Sequence, residues 1–178
     1  MVVLKKILDF YINSSLHVAL SAFALVSMTQ YFFGVQGDFS VAFFAFFGTV
    51  VGDNFVNDDA IARLNKTEIK KELKAIVFLS FISLLACFYF FLQLSWMSKL
   101  SAVAFLGLTL LYTLPFFPNK QNARNWKGVK IYIVGITWVG VTVILPLVEA
   151  EIPFSIDVFL MAFQRFLLVF SIVLVFDI

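Results

Sequence analysis

The amino-acid sequence predicts an all-α integral membrane protein, a polytopic bundle of six transmembrane helices. Hydrophobic residues make up 62% of the 178 residues and charged residues 13%, and the mean hydropathy is +0.99. A soluble domain of this length could not bury so much apolar surface. The charged residues gather between apolar segments of about 20 residues, the length that a helix needs to cross a membrane. We expect residues 1–178 to form a single transmembrane domain.

Polar residues bound each apolar segment. The first segment follows Lys5 and Lys6 and is too long for the core of a signal peptide, so we interpret it as a retained span. Pro115, Pro118 and Pro146 lie at or near span ends, where proline breaks or kinks a helix. The predicted spans, in order, are Leu8–Phe33, Phe39–Asn57, Ala75–Trp96, Leu100–Phe117, Ile131–Val148 and Ser155–Ile178.

The second span ends in small residues, and a long basic connection follows it. Gly48 and Gly52 form a small-x-x-x-small face, which predicts close approach of a neighbouring helix. Ile69, Leu73 and Ile76 recur at helical spacing among charged residues, so an amphipathic stretch should lead into the third span.

The basic residues predict the orientation in the membrane. Of the thirteen Lys and Arg residues, all but Lys99 and Arg165 fall in the N-terminus or in the two long connections, 58–74 and 118–130. The positive-inside rule places these three regions in the cytoplasm. The polar ends of the second and sixth spans, at Asp53 and Asp177, then face the cytoplasm together.

The end of the second span is a candidate metal site. In a continuous helix Asn54, Asn57 and Asp58 share one face at positions i, i+3 and i+4, with Asp53 one step around. Oxygen ligands suit Mg²⁺, which takes one or two protein carboxylates and completes its octahedron with waters and substrate phosphates. The alternative is that these residues only end a helix at the interface.

Two spans carry polar residues at depth. Arg165 lies about 15 Å into its span at 1.5 Å per residue, where a charge is costly and faces a cavity or a partner. Asn13 and His17, at i and i+4 on the first span, predict a polar stripe that lines the same cavity, and Asn57 is a further cavity-lining candidate. The alternative for His17 is a hydrogen bond between helices.

Several functional classes are disfavoured. Neither G-x-x-x-x-G-K-[ST] nor G-x-G-x-x-G occurs in the sequence, which argues against a nucleotide-driven pump. The basic residues lie in loops rather than along a groove with interleaved aromatics, which argues against nucleic acid as a partner. The single Cys87 excludes an internal disulfide. A small transporter draws support only from His17 and Arg165, and the lack of an evident inverted repeat counts against it.

The order of these features resembles the UbiA superfamily of intramembrane prenyltransferases, and it is most similar to divergent UbiA-like proteins of bacteria. The resemblance covers the whole chain and about the first two-thirds of a nine-helix member. We therefore expect a partial UbiA-like domain, truncated at the second aspartate motif. The segments that carry the resemblance are Phe47-Gly48-Thr49, Asp53-Asn54, Tyr112, the basic loop from Leu114 to Lys130, Trp138 and Phe176-Asp177-Ile178.

The resemblance implies a prenyltransferase of the bacterial inner membrane. Such a protein uses Mg²⁺ to transfer a prenyl group from a prenyl diphosphate to a small acceptor, commonly aromatic, within a cavity open to the cytoplasm. Besides membrane lipid, the implied partners are that diphosphate and that acceptor. Carried over residue by residue, the metal ligands are Asp53, Asn54, Asp58 and Asp177, and the diphosphate contacts are Tyr112, Lys120 and Arg124.

A second hypothesis keeps the fold without the reaction. Phe55, Ile61 and Ala62 stand where the family's first motif has ligands, which favours a non-catalytic UbiA-like protein that binds lipid or isoprenoid. Under the first hypothesis we expect the 178 residues alone to be inactive.

Overall fold

The computed structural model describes residues 2–35, 39–61, 69–113 and 128–176. Within these ranges the predicted all-α class is confirmed. The sixth helix is α-helical over Val129–Val139, π-helical over Gly140–Ile144 and α-helical again over Leu145–Glu149. In chain order the helices are α1 (Val2–Asn13), α2 (Leu16–Phe32), α3 (Ser40–Ile61), α4 (Ile69–Gln93), α5 (Trp96–Thr113), α6 (Val129–Glu149) and α7 (Ile156–Phe176).

Three of the described helices are long and apolar enough to cross a membrane unaided. They contain Leu73–Gln93, Ile131–Glu149 and Ile156–Val175, and the bent pair of α1 and α2 makes a fourth if it is counted as one span. Large apolar side chains point outward along them: Phe78 is 66% exposed and Val175 is 72% exposed. Outward-facing apolar surface of this extent indicates an integral membrane protein.

Each of the six predicted apolar segments contains a described helix, and three of these helices, or four with the bent pair, meet the length and composition of a span. One prediction needs revision. The first segment was expected to be a single helix from Leu8, but α1 ends at Asn13 and α2 leaves it at an angle of 64°. Ser15, at the corner, has φ 58°. Serine and asparagine side chains compete for backbone hydrogen bonds, which favours a helix break at this point. Asn13 and His17 therefore do not share a helix face.

The chain divides into two compact units, of which the first comprises Met1–Ala24 and Phe39–Gln93. Within it α3 and α4 pack antiparallel. Phe43, near the start of α3, stacks on Phe90 with ring centroids 5.3 Å apart. A Cβ at Gly48 would lie 3.7 Å from the Cys87 sulfur, and one at Gly52 would meet nothing within 4 Å. These are ordinary contacts, so the described part of the unit does not use the close approach that the two glycines predicted.

The second unit comprises Leu25–Asp38 and Leu94–Ile178. Its core contains Val143, Leu147 and Val158. Here close approach does occur. A Cβ at Gly135 would lie 2.7 Å from the Phe166 ring, and one at Gly140 would overlap the Phe105 ring.

Candidate functional site

The polar end of α3 centres on Asn54, a side chain that is only 2% exposed. Its Nδ2 donates to the Ser80 hydroxyl on α4 at 2.9 Å, and that hydroxyl donates to the Ile76 carbonyl at 2.9 Å. Because the Ser80 proton is used in this way, Ser80 Oγ can only accept from Asn54. The Asn54 amide is thereby held in one orientation.

That orientation leaves Asn54 Oδ1 buried, with no hydrogen-bond partner in the described part of the chain. A buried acceptor without a partner costs about 1–3 kcal/mol. A cation or a donor supplied by a ligand would remove that cost. Amide oxygens are among the ligands that hard divalent cations take in proteins, so this atom fits the predicted Mg²⁺ site.

Asp53 precedes Asn54 on α3 and is half-buried. It interacts electrostatically with His17 of α2, whose imidazole is exposed and lies with its ring centroid 5.9 Å from that of Tyr11. Successive helical residues diverge by about 100°, so the Asp53 carboxylate and the Asn54 amide do not aim at one point. The structure brings Asp53 and His17 together, a pair that the sequence pattern did not predict.

The ligands that share a face with Asn54 are expected three and four residues later. The helix continues through these positions, since α3 extends to Ile61. In a continuous helix Asn54, Asn57 and Asp58 lie on one face, as predicted. The side chains of Asn57 and Asp58 lie outside the described part of the structure, so their role as ligands stays a prediction.

The remaining candidates of this site also lie beyond what the structure describes. The backbone of Tyr112 belongs to α5, but its side chain is not among those described. Lys120, Arg124 and Asp177 fall outside the described residues altogether. Among the side chains that are described, no group of three or more His, Cys, Asp or Glu residues is placed to hold a metal ion.

A second polar centre lies in the other unit, around Arg165. This side chain is 7% exposed at the middle of α7, and its Nη2 lies 3.4 Å from both Thr29 Oγ1 and the Leu25 carbonyl oxygen. Both acceptors are uncharged. Arg165 was expected to face a cavity or a partner, and α2 supplies that partner.

The π-helical turn of α6 completes this centre. Pro146 has no N–H to donate to the carbonyl four residues earlier, that of Thr142. The Thr29 hydroxyl lies 2.8 Å from that carbonyl oxygen and donates to it. In apolar surroundings a threonine on a neighbouring helix can satisfy a carbonyl that proline leaves free. Arg165, Thr29 and Thr142 therefore form one connected group.

Sequence reasoning missed Ser80, Thr29 and Thr142. Pro146 was the available signal. A proline inside an apolar helix predicts that a polar side chain of another helix donates a hydrogen bond to the carbonyl that the proline leaves free. Which residue does so depends on packing between segments 113 residues apart.

Comparison of the chain with protein-family models, with curated proteins and with solved structures finds no match.

Proposed function

We propose that the chain is a UbiA-like membrane protein with six transmembrane helices, α2 to α7, that binds a prenyl diphosphate through Mg²⁺ at the polar end of α3. The reaction that this resemblance implies is transfer of the prenyl group to a small, commonly aromatic acceptor. The observation that carries the proposal is the free, buried Oδ1 of Asn54, next to Asp53 and at the end of an apolar helix.

The chemistry of that position suits a ligand with a charged head and an apolar tail. Asn54 Oδ1 offers an oxygen ligand, and phosphate oxygens and waters complete the coordination that Mg²⁺ requires. The surrounding helices present aromatic side chains, among them Phe47 and Phe90, which are stacked at 6.0 Å. When bound, Mg²⁺ would offset the charge of the departing diphosphate. The protein's own contribution is to orient the head group and exclude water.

A binding experiment tests the first step of this proposal. The purified chain in lipid nanodiscs is titrated with radiolabelled farnesyl diphosphate, once with Mg²⁺ and once with a chelator. We expect binding that requires Mg²⁺ and that weakens by about tenfold or more, about 1.4 kcal/mol or more, in Asn54→Leu. The control Ser101→Ala removes an exposed hydroxyl whose described hydrogen bond stays within its own helix, to Met97 O at 3.0 Å, and this variant should bind like the parent.

Equal binding in the presence and absence of Mg²⁺, or unchanged binding in Asn54→Leu, would contradict the proposal.

The second candidate function is a non-catalytic protein that binds isoprenoid or lipid. It is favoured by Phe55, whose side chain is 63% exposed and which stands where the family's first aspartate motif has a metal ligand. An apolar residue there cannot ligate a metal. Competition with unlabelled farnesol, which carries the isoprenoid without the diphosphate, separates the two candidates. Farnesol that competes as well as farnesyl diphosphate supports the non-catalytic protein, and selectivity for the diphosphate in the presence of Mg²⁺ supports the enzyme lineage.

A further inference from the structure

The short N-terminal helix α1 separates its polar and apolar residues more sharply than the other described helices do. Its polar residues are Lys5, Lys6, Asp9 and Asn13. At 3.6 residues per turn these four positions fall within an arc of about 100°. Five of the apolar residues recur at helical spacing on the rest of the surface: Leu4, Ile7, Leu8, Tyr11 and Ile12.

The apolar face of α1 is left exposed. Leu4 is 74% exposed, Ile7 is 61% exposed and Leu8 is 54% exposed. A contiguous apolar face of this kind must be shielded from water by lipid or by another protein surface. It adjoins Lys5 and Lys6, whose side chains are exposed as well.

The corner between α1 and α2 is a defined structure. Ser14 and Ser15 are buried, at 0% and 2% exposure, and the backbone bonds of both helices continue up to them. The Ser14 N–H donates to the Phe10 carbonyl at 2.9 Å, and the Ala19 N–H donates to the Ser15 carbonyl at 3.1 Å. Ser15 takes the left-handed conformation, with φ 58°, which turns the chain through 64°.

Helix α2 by itself has the minimum length of a transmembrane helix, about 17 residues. Its 17 residues extend about 26 Å at 1.5 Å per residue, against a hydrocarbon core of about 30 Å. If α1 continued in the same direction, the combined helix would be longer than the core by more than three turns. The bend instead directs α1 away from the direction of the span at the point where the span begins.

We propose that α1 is an interfacial helix that lies on one surface of the bilayer. Its apolar face, from Leu4 to Ile12, inserts among the acyl chains, and Lys5 and Lys6 bind the phosphate groups of anionic lipids. Amphipathic helices with lysine on the polar face bind bilayer surfaces in this way, and their binding strengthens with anionic lipid. This inference is independent of the proposed function, because it concerns neither Asn54 nor Asp53.

Depth measurements along α1 test the proposal. In the full chain with Cys87→Ala, single cysteines at positions 4 to 12 carry a nitroxide label, and the protein is reconstituted in vesicles of phosphatidylethanolamine with phosphatidylglycerol. Collision rates with oxygen and with a water-soluble nickel chelate report the depth of each label. We expect depth to oscillate with a period of about 3.6 residues, with positions 4, 7, 8 and 11 deep, positions 5, 6 and 9 shallow, and no net trend.

Three results would overturn the proposal. A depth that increases by about 1.5 Å per residue through α1 means that α1 continues the span. Uniformly shallow labels mean that α1 lies in water. Dipolar broadening between labels on separate molecules means that a second copy of the chain covers the apolar face.

The lipid requirement has its own test. In vesicles of phosphatidylcholine alone, labels at positions 4 and 8 should lie less deep than in vesicles with phosphatidylglycerol, and Lys5→Gln with Lys6→Gln should remove that difference. The control Lys99→Gln changes a lysine outside α1 and should preserve it. A lipid dependence that survives the double substitution would refute the role of the two lysines.

Discussion

Ser80 determines which atom of Asn54 is available to a ligand. Its hydroxyl bonds the Ile76 carbonyl and accepts from Asn54 Nδ2, so Ser80→Ala should remove the partner of a buried donor and free the amide to rotate. We expect the free energy of unfolding to fall by about 1–3 kcal/mol, measured by titration with sodium dodecyl sulfate in mild detergent. Affinity for diphosphate with Mg²⁺ should fall by about tenfold to a hundredfold, as for other residues that orient a metal ligand.

Ser101→Ala serves as the control for this measurement too, since its hydroxyl is exposed. Stability unchanged in Ser80→Ala would show that the orientation of the Asn54 amide does not depend on Ser80.

Thr29 and Arg165 should act as a pair. Thr29→Val removes the donor to the Thr142 carbonyl and one of the acceptors of a buried guanidinium, whereas Arg165→Met removes the charge itself. A buried charge that loses a partner is more costly than a buried apolar side chain of similar size. We therefore expect Thr29→Val to destabilise the protein more when Arg165 is present than in the Arg165→Met background.

The measurement is a double-mutant cycle on the free energy of unfolding, with an expected interaction of about 0.5–3 kcal/mol. Strictly additive effects would show that the contacts at 3.4 Å contribute nothing to stability.

Gly140 decides how closely α5 approaches the π-helical turn of α6. A methyl group there would overlap the ring of Phe105, and the neighbouring Thr142 and Val143 are fully buried, so the ring has little room to move. Gly140→Ala should reduce the free energy of unfolding by about 1–3 kcal/mol, the usual cost of overpacking. The control is Gly107→Ala in α5, where a Cβ would meet nothing within 4 Å; its effect should be neutral or slightly stabilising.

If both variants unfold at the same detergent concentration, the contact between Gly140 and Phe105 is not close in solution.

The start of α5 depends on a carboxylate from the end of α6. Glu149 accepts the Ser95 N–H at 2.9 Å and 3.2 Å through its two oxygens, next to the first residue of α5. A negative charge at a helix N-terminus is stabilising, and loss of such a cap costs about 0.5–2 kcal/mol. Glu149→Ala should show this loss of unfolding free energy, whereas Glu151→Ala, two residues later and exposed, should show much less. Equal losses would assign the effect to net charge rather than to the cap.

For the helices, the sequence predicted where each one lies in the chain better than it predicted the breaks and irregular turns within them. Each apolar segment from Phe39 onward contains a helix, because hydropathy averaged over about 20 residues reports burial in lipid whatever the local backbone does. The break at Ser14 and Ser15 was missed because two small residues barely change that average. The π-helical turn was missed because hydropathy does not report the hydrogen-bond register of a helix.

The sequence likewise predicted one part of the candidate site and missed another. Asn54 could be predicted, since a polar residue in an apolar segment is conspicuous. Its partner Ser80 could not, because serine is common in transmembrane helices and only the antiparallel packing of α3 on α4 brings it to Asn54.

For the molecule as a whole, the distribution of charge predicts which loops share a side of the membrane. The basic connections 58–74 and 118–130 should be cytoplasmic and the short connections external. This requires α3 and α5 to cross the membrane. With 22 and 18 residues they extend about 33 Å and 27 Å, and the apolar stretches described within them are Ser40–Phe55 and Trp96–Leu110.

Labelling of intact bacterial cells by a membrane-impermeant maleimide tests this topology, with single cysteines in the Cys87→Ala background. Val35→Cys, Lys99→Cys and Glu151→Cys should react in intact cells, because Val35 and Glu151 lie in the short connections and Lys99 lies in the first turn of α5. Lys66→Cys and Lys127→Cys should react only after the membrane is permeabilised. Positions 35 and 66 flank α3, so reaction of both in intact cells would show that α3 does not cross. Positions 99 and 127 give the same test for α5. Either result would leave fewer than six spans and would remove the topology on which a cytoplasmic diphosphate site depends.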